Sequence, residues 1–412
     1  MTPTSITGIR AREILDSRGN PTLEVTVTCR GGSGTFGVPS GASTGTHEAV
    51  ELRDGDKSRF GGLGVLKAAT HVNVNLAGAL VGMDAHDQRT LDERMIAMDG
   101  TPNKSVLGGN AIVGVSVAAA KAAAASQSLQ PFEWVRELAA GLKPSRRVPF
   151  LCMNLTNGGK HAAGRLAFQE YKIVPQTEHI QEALEIGTAI MHGLKKAYAK
   201  KYGSVNANVG DEGGFAPDLE DVRAPLDMFM QVAADLRLDH RIKLAMDVAA
   251  SSFYSKDDDR YDFNGARHTA AELEETLRGM IRDFPILYIE DPFNEDKFED
   301  FTRFNATAGT IIMGDDLTVT NPAILQKAID AKAISAVLIK LNQVGTVTET
   351  LDCMRLARTH GLECITSHRS GETNDDFLAD FTVGTGAFGV KAGGPQRGER
   401  VAKYNRFLEL LR

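Results

Sequence analysis

Short apolar segments in the second half of the chain repeatedly end in a charged residue. These terminal residues are Asp247, Glu290, Asp315, Lys340, His368 and Lys391. From residue 290 onward they recur at intervals of 25, 25, 28 and 23 residues, close to the roughly 30 residues of one strand–helix unit. Helical periodicity fills the intervals, so the pattern predicts an α/β fold with a (β/α)₈ barrel. The carboxyl ends of barrel strands converge on one mouth, and the charged residues are expected to meet there.

Lys340 tests this interpretation, because it follows the buried-type strand sequence of residues 336–339 directly. Burying an ammonium group is costly unless a partner pairs with it or its pKa falls. The alternative is a lysine that extends from an edge strand into water. The shared position of charges at neighbouring strand ends favours the barrel mouth.

With 412 residues the chain is too long for one ordinary domain. Residues 23–28 alternate apolar and polar side chains as a half-buried strand does, and several helical patterns follow. A linker-like sequence occupies residues 142–147. We therefore expect an α+β domain over residues 1–142 and the barrel over residues 143–412.

Composition argues against several classes of partner. The net charge is −7 without a basic block, which disfavours nucleic acid. The alanine-rich residues 111–125 contain Lys121 and are too short to span a bilayer, so a buried helix is expected and no membrane partner. The first residues show no apolar signal sequence, and four scattered cysteines without a CxxC pattern predict reduced thiols and a cytoplasmic protein.

Three of the strand-end residues are carboxylates: Asp247, Glu290 and Asp315. Bare like charges in a dry pocket raise one another's pKa, and a divalent cation would relieve this. An all-oxygen donor set favours Mg²⁺ over Zn²⁺. The alternative is three unrelated surface carboxylates.

The remaining mouth residues are cationic: Lys340, His368, Arg369 and Lys391. Cations beside a metal predict an anionic substrate, a small carboxylate or phosphate. A lysine beside Mg²⁺ and other cations is expected to have a lowered pKa and to serve as a base. Mg²⁺ on a substrate carboxylate would stabilise the enediolate that removal of the α-proton leaves.

Glycine-rich loops supply candidates for the opposite side of the mouth. His161 lies in the loop of residues 157–162, Glu170 follows shortly after, and Glu212 lies among the glycines of residues 210–214. Ser40 opens a hydroxyl-rich loop, residues 38–45, that could act as a mobile flap offering oxygens to a metal or phosphate. Each of these could equally be an ordinary structural loop residue.

Many segments together resemble the enolase family, over nearly the whole chain. These segments are residues 16–22, 40–45, 51–55, 210–217, 246–251, 290–292, 314–321, 340–346, 367–373 and 399–405. The resemblance implies an α+β N-terminal domain and a C-terminal TIM-like barrel whose first units depart from regular βα order. It also implies a homodimer or larger homo-oligomer.

By this resemblance the activity is the reversible dehydration of 2-phospho-D-glycerate to phosphoenolpyruvate, a step of glycolysis. Lys340 would be the base and Glu212 the acid, with Glu170 and His161 beside it. Asp247, Glu290 and Asp315 would hold a first Mg²⁺, and Ser40 would help to hold a second. Arg369 and Ser370 would bind the phosphate, and Lys391 and His368 would contact the substrate.

Several positions depart from the family pattern. Tyr171-Lys172 stands where the family usually has Phe-Met, Asn374 where an acid is usual, and Phe388-Gly389-Val390 where Gly-Gln-Ile is preferred. Two alternatives therefore stay open. One is an enolase paralogue of secondary metabolism acting on a phosphono substrate, such as carboxyphosphonoenolpyruvate synthase. The other is a non-catalytic binding protein on an enolase scaffold.

Overall fold

A three-stranded antiparallel sheet begins the fold, which a computed structural model describes for residues 2–41 and 47–412. Its strands are β1 (Ile6–Leu15), β2 (Pro21–Cys29) and β3 (Ser33–Gly37), in the order β1-β2-β3. Leu23, Val25 and Val27 on β2 are fully buried, and the intervening residues are less so. The alternation seen in residues 23–28 is therefore confirmed as a half-buried strand.

Five helices follow the sheet: α1 (Leu66–Thr70), α2 (Ala77–Leu80), α3 (Gln88–Asp99), α4 (Gly109–Ser126) and α5 (Pro131–Leu138). A π-helical segment, His71–Leu76, joins α1 to α2. Within the described residues, α4 alone has the length and hydropathy of a membrane span, and 83% of it is buried inside the protein. It packs on β2 and β3, as its small side chains lead one to expect of a core helix.

Eight strands then close into a barrel: β4 (Phe150–Asn157), β5 (Glu170–Pro175), β6 (Ile242–Asp247), β10 (Ile286–Glu290), β11 (Ile311–Gly314), β12 (Ala336–Ile339), β13 (Glu363–Ser367) and β14 (Gly389–Lys391). Their order around the barrel is β10-β11-β12-β13-β14-β4-β5-β6. A small antiparallel sheet lies between β6 and β10, with β7 (Tyr254–Ser255), β8 (Arg260–Phe263) and β9 (Ala266–His268). The predicted barrel is confirmed.

One barrel strand runs against the others. β5 pairs antiparallel with both β4 and β6, whereas the remaining neighbours are parallel. The departure from regular βα order that the resemblance implied is therefore present. Because β5 is reversed, its first residue, Glu170, lies at the same mouth as the last residues of the parallel strands.

Helices connect the barrel strands. They are α6 (Ile180–Tyr202), α7 (Ala224–Asp235), α8 (Ala270–Asp283), α9 (Phe298–Asn305), α10 (Pro322–Asp330), α11 (Leu341–Val344), α12 (Val347–Thr359), α13 (Phe377–Thr385) and α14 (Gly398–Leu410). Asn321 accepts hydrogen bonds from the first backbone amides of α10, and Pro322 opens that helix.

The barrel interior is filled by side chains. Its apolar cluster consists of Cys152, Val174, Ala245, Tyr288, Met313, Ala336, Leu338 and Ile365. A separate, larger core lies between strands and helices. All four cysteines are buried and free, as expected of reduced thiols. The apolar cluster fills the barrel below the mouth, and polar side chains lie at the mouth itself.

Candidate active site

One cavity at the mouth of the barrel collects most of the predicted site residues. Those that line it are His161, Glu170, Glu212, Asp247, Asp315, Lys340, His368, Arg369, Ser370 and Lys391. Glu290, at the end of β10, is fully buried and paired with Lys391. The strand-end residues thus meet as the barrel topology requires.

Lysines balance the carboxylates at this mouth. The Nζ of Lys391 lies 2.7 Å from Oε1 of Glu290 and 3.1 Å from Oδ2 of Asp247. The Nζ of Lys340 pairs with Oδ2 of Asp315 at 2.5 Å. These carboxylates are therefore paired with lysines of the protein itself. From the sequence we expected a metal ion alone to offset their charge.

The donor set still fits Mg²⁺. Asp247, Glu290 and Asp315 offer only carboxylate oxygens, and all three are at least 94% buried. They do not converge as closely as a bound ion requires: in the described chain, the triplets with ligand atoms within 4.8 Å of one another are His161–Glu170–Glu212 and Asp291–Asp315–Asp316. The ammonium group of Lys391 lies between Asp247 and Glu290 instead.

Burial and charge separate the pKa values of these groups. Burial and the charge of Asp247 raise the pKa of Glu290 to about 8. Burial opposes ionisation of Asp315 too, but the ammonium groups of Lys340 and Lys391 lower its pKa to about 2. The pKa of Lys340 is not lowered as expected: burial lowers it most, but the carboxylates of Asp315 and Asp316 raise it, and the net shift is upward.

The loop residues form the other side of the cavity. Nδ1 of His161 lies 3.5 Å from Oε1 of Glu170 and 3.5 Å from Oε1 of Glu212. Asn154 donates a hydrogen bond of 3.1 Å to Glu212. These glycine-rich loops therefore bring the predicted acid and its neighbours together.

Arg400 fixes the tautomer of His368 and contributes to its lowered pKa. The pattern of charged strand ends did not indicate this role. The guanidinium of Arg400 donates to Nδ1 of His368 at 2.6 Å and to the carbonyl of Arg369 at 2.7 Å. A guanidinium can only donate, so the neutral imidazole carries its proton on Nε2, which lies 3.3 Å from Oε2 of Glu212. Burial and the charge of Arg400 lower the pKa of His368 to about 3.

Glu48 and Gln343 are further residues of the mouth that sequence reasoning missed. Arg369 donates to both carboxylate oxygens of Glu48, at 2.9 and 3.1 Å. Gln343 donates to Oδ1 of Asp315 at 2.9 Å. Both lie outside the strand-end pattern, and only the fold brings them to the mouth.

Ser40 lies apart from the cavity lining. Its Oγ donates to Glu51 at 3.0 Å and accepts from Arg53 at 3.0 Å and Arg18 at 3.2 Å. Arg18 also donates to Ser370 at 3.4 Å, which links this network to the mouth. Half of the hydroxyl-rich loop of residues 38–45, namely residues 42–45, lies outside the described residues.

This fold and mouth define an enzyme class: barrels that perform acid–base chemistry on a small anionic substrate. The family model described as "Enolase, C-terminal TIM barrel domain" matches residues 145–411. The model described as "Enolase, N-terminal domain" matches residues 6–135. The chain belongs to the enolase family. It is 44% identical to enolase B of Dictyostelium discoideum, over 98% of this chain and 94% of that protein. It is 47% identical to enolase of Methanosarcina barkeri, over 98% and 93%.

Proposed function

We propose that this protein is an Mg²⁺-dependent lyase that catalyses the reversible dehydration of 2-phospho-D-glycerate to phosphoenolpyruvate. Similarity to two proteins named enolase over 98% of the chain supports the reaction. The observation that carries the proposal is the joint presence of Lys340 and Glu212 in the lining of one cavity. A base and an acid at one substrate site are what removal of an α-proton and departure of hydroxide require.

Lys340 is the proposed base, and Glu212 the proposed acid, with Glu170 and His161 positioned beside it. Asp247, Glu290 and Asp315 would hold the first Mg²⁺, and Ser40 would help to hold a second. Mg²⁺ supplies stabilisation of the negative charge that develops on the substrate carboxylate as the α-proton leaves. Lys391 and Lys340 hold the three carboxylates in place through the ion pairs described above.

Arg369 and Ser370 are proposed to bind the phosphate, and His368 and Lys391 to contact the rest of the substrate. All four line the cavity and are at least 96% buried. A buried guanidinium suits a phosphate dianion because it offers several donors in fixed geometry. The carboxylate of Glu48 now occupies two of those donor directions and would have to share them with substrate.

The remaining assignments extend the same proposal. We propose residues 1–142 as a capping domain and residues 143–412 as the catalytic barrel, in a cytoplasmic glycolytic enzyme that forms homodimers or larger homo-oligomers. The phosphono-substrate alternative gains no support, since the similar proteins above are named enolases. The same names, with the complete set of site residues, disfavour a non-catalytic scaffold.

The test is turnover. Purified protein with Mg²⁺ and 2-phosphoglycerate should produce the ultraviolet absorbance of the enol product. The isomer 3-phosphoglycerate, which carries its phosphoryl group on another carbon, serves as the matched control and should yield none. Absence of product from 2-phosphoglycerate in Mg²⁺-saturated buffer would refute the proposal.

A further inference from the structure

Lys172 is a fully buried cation inside the barrel, on the reversed strand β5. Its Nζ lies 3.0 Å from Oε2 of Glu170 and 3.1 Å from Oε2 of Glu290. The ring of Tyr288 lies 5.6 Å from the same ammonium group. Burying a lysine is costly unless anions pair with it or its pKa falls, and here two carboxylates pair with it.

The same two glutamates use their other oxygens for a second lysine. Nζ of Lys391 lies 3.0 Å from Oε1 of Glu170 and 2.7 Å from Oε1 of Glu290. Glu170, Lys172, Glu290 and Lys391 thus form a closed ring in which carboxyl and ammonium groups alternate. We call these four residues the charge ring. With both glutamates ionised, its formal charges sum to zero.

Removing Lys172 would change that balance. Two buried glutamates would then share one ammonium group, which Asp247 also contacts. Like charges in a dry site repel, so the glutamates would separate, take up a proton or recruit another cation. Glu290 also belongs to the proposed metal ligands, and the charge ring therefore couples Lys172 to the metal site.

We propose that Lys172 is a positioning residue that acts as a resident counter-cation: it holds Glu170 and Glu290 in place before Mg²⁺ binds and weakens Mg²⁺ binding at the neighbouring ligands. This inference rests on the proposed function, because it takes Glu290 as a metal ligand. A cation beside a ligand disfavours a second cation there, and it spares the metal-free protein the cost of uncompensated carboxylates.

The test compares a neutral and a charged replacement. Lys172→Met removes the charge, whereas Lys172→Arg keeps it. Protein stripped with EDTA is titrated with Mg²⁺ in a calorimeter, and thermal midpoints are recorded in EDTA and in saturating Mg²⁺. Residues that contact metal ligands typically change metal affinity 10- to 100-fold when mutated, and removal of a repelling cation sets the direction of the change here. We expect Lys172→Met to bind Mg²⁺ at least about tenfold more tightly, with a lower midpoint in EDTA and a larger rise on adding Mg²⁺. Lys172→Arg should bind Mg²⁺ as the parent does.

Lys104→Met is the matched structural control. Lys104 is also a buried lysine, and it pairs with Glu349 at 3.0 Å outside the cavity. Its loss should lower the thermal midpoint but leave the Mg²⁺ affinity unchanged. A folded Lys172→Met protein whose Mg²⁺ affinity and Mg²⁺-induced midpoint shift equal those of the parent would overturn the inference.

Failure of the Lys172 variants to fold would also test the inference. If Lys172→Met and the uncharged but hydrogen-bonding Lys172→Gln fold only in saturating Mg²⁺, the metal replaces the missing cation and the inference is supported. If both stay unfolded in saturating Mg²⁺, Lys172 is a structural ion-pair partner and the inference falls. Parent protein measured in the same series separates the two proposals. A parent that neither binds Mg²⁺ nor turns over 2-phosphoglycerate refutes the proposed function, whereas normal binding and turnover with unresponsive variants refute only the inference.

Discussion

Replacing Lys340 with methionine tests the assignment of the base most directly. Methionine keeps much of the length and apolar volume of the lysine side chain but cannot accept a proton. Loss of a positioned general base lowers the rate by roughly 10²- to 10⁴-fold, about 3–5 kcal/mol of transition-state stabilisation. We therefore expect Lys340→Met to reduce turnover of 2-phosphoglycerate by at least two orders of magnitude and to stop exchange of the α-proton with solvent deuterium.

The same change also has a cost in stability, which must be separated from catalysis. The side chains of Lys340 and Asp315 are only 10% and 9% exposed, and breaking a buried ion pair costs about 3–5 kcal/mol. Asp315 keeps its hydrogen bond from Gln343, so we expect the lower end of that range.

Lys104→Met supplies the control for this effect. It breaks another ion pair of a buried lysine, but its partner Glu349 is 26% exposed, so about 1–3 kcal/mol is expected. Its turnover should equal that of the parent. Product absorbance measures turnover, NMR follows deuterium exchange, and chemical denaturation gives stability. A folded Lys340→Met protein with turnover within tenfold of the parent would refute the base assignment.

Three further changes test other parts of the structure. Glu212→Gln should reduce dehydration by roughly 10²- to 10⁴-fold yet leave α-proton exchange measurable by NMR; loss of both would contradict separate acid and base groups. Gly34→Ala would place a Cβ in steric conflict with the backbone of α4 at Ala118 and Ala122 and should lower the free energy of unfolding by about 1–3 kcal/mol. Gly8→Ala, with open space around it, should change the free energy of unfolding little, and equal denaturation midpoints would refute this packing. Burial raises the pKa of Asp92 from 3.8 to about 6, so the folded protein holds this proton more tightly than the unfolded chain and charged Asp92 costs stability increasingly as pH rises between about 4 and 6. Relative to the parent, Asp92→Asn should gain about 1.4 kcal/mol between pH 5 and pH 7.5 in denaturation experiments, and a pH-independent difference would contradict the argument.

The sequence predicted six of the eight barrel strands from residues alone, because those six are short apolar runs that end in a charge. β4 and β5 escaped for physical reasons. β4 (Phe150–Asn157) carries several polar residues that are nevertheless buried, and β5 (Glu170–Pro175) carries two charged side chains inside the barrel. Because these polar and charged side chains are buried together with their partners, neither strand contains an apolar run that would reveal it in the sequence. Only the family resemblance supplied the irregular start of the barrel.

The site was predictable as a set of residues but not as a balance of charges. Spacing placed carboxylates and cations at one mouth, and the cavity lining agrees with that. Which carboxylate pairs with which lysine depends on side-chain directions that spacing does not specify. The raised pKa of Lys340 follows from its pairing with Asp315, and Arg400 reaches His368 from a helix 32 residues further along the chain.

The two lysines that line the cavity differ in a way that bears on which is the base. Lys391 has three carboxylate partners within 3.1 Å, namely Glu170, Asp247 and Glu290, and these raise its pKa well above the usual value despite burial. Lys340 has Asp315 as its one carboxylate partner at such a distance in the described part of the chain. Removing the proton from Lys391 would leave three anions with less compensation, whereas Lys340 loses only one such pairing. The geometry therefore favours Lys340 as the group that exchanges a proton with substrate and Lys391 as a permanent cation.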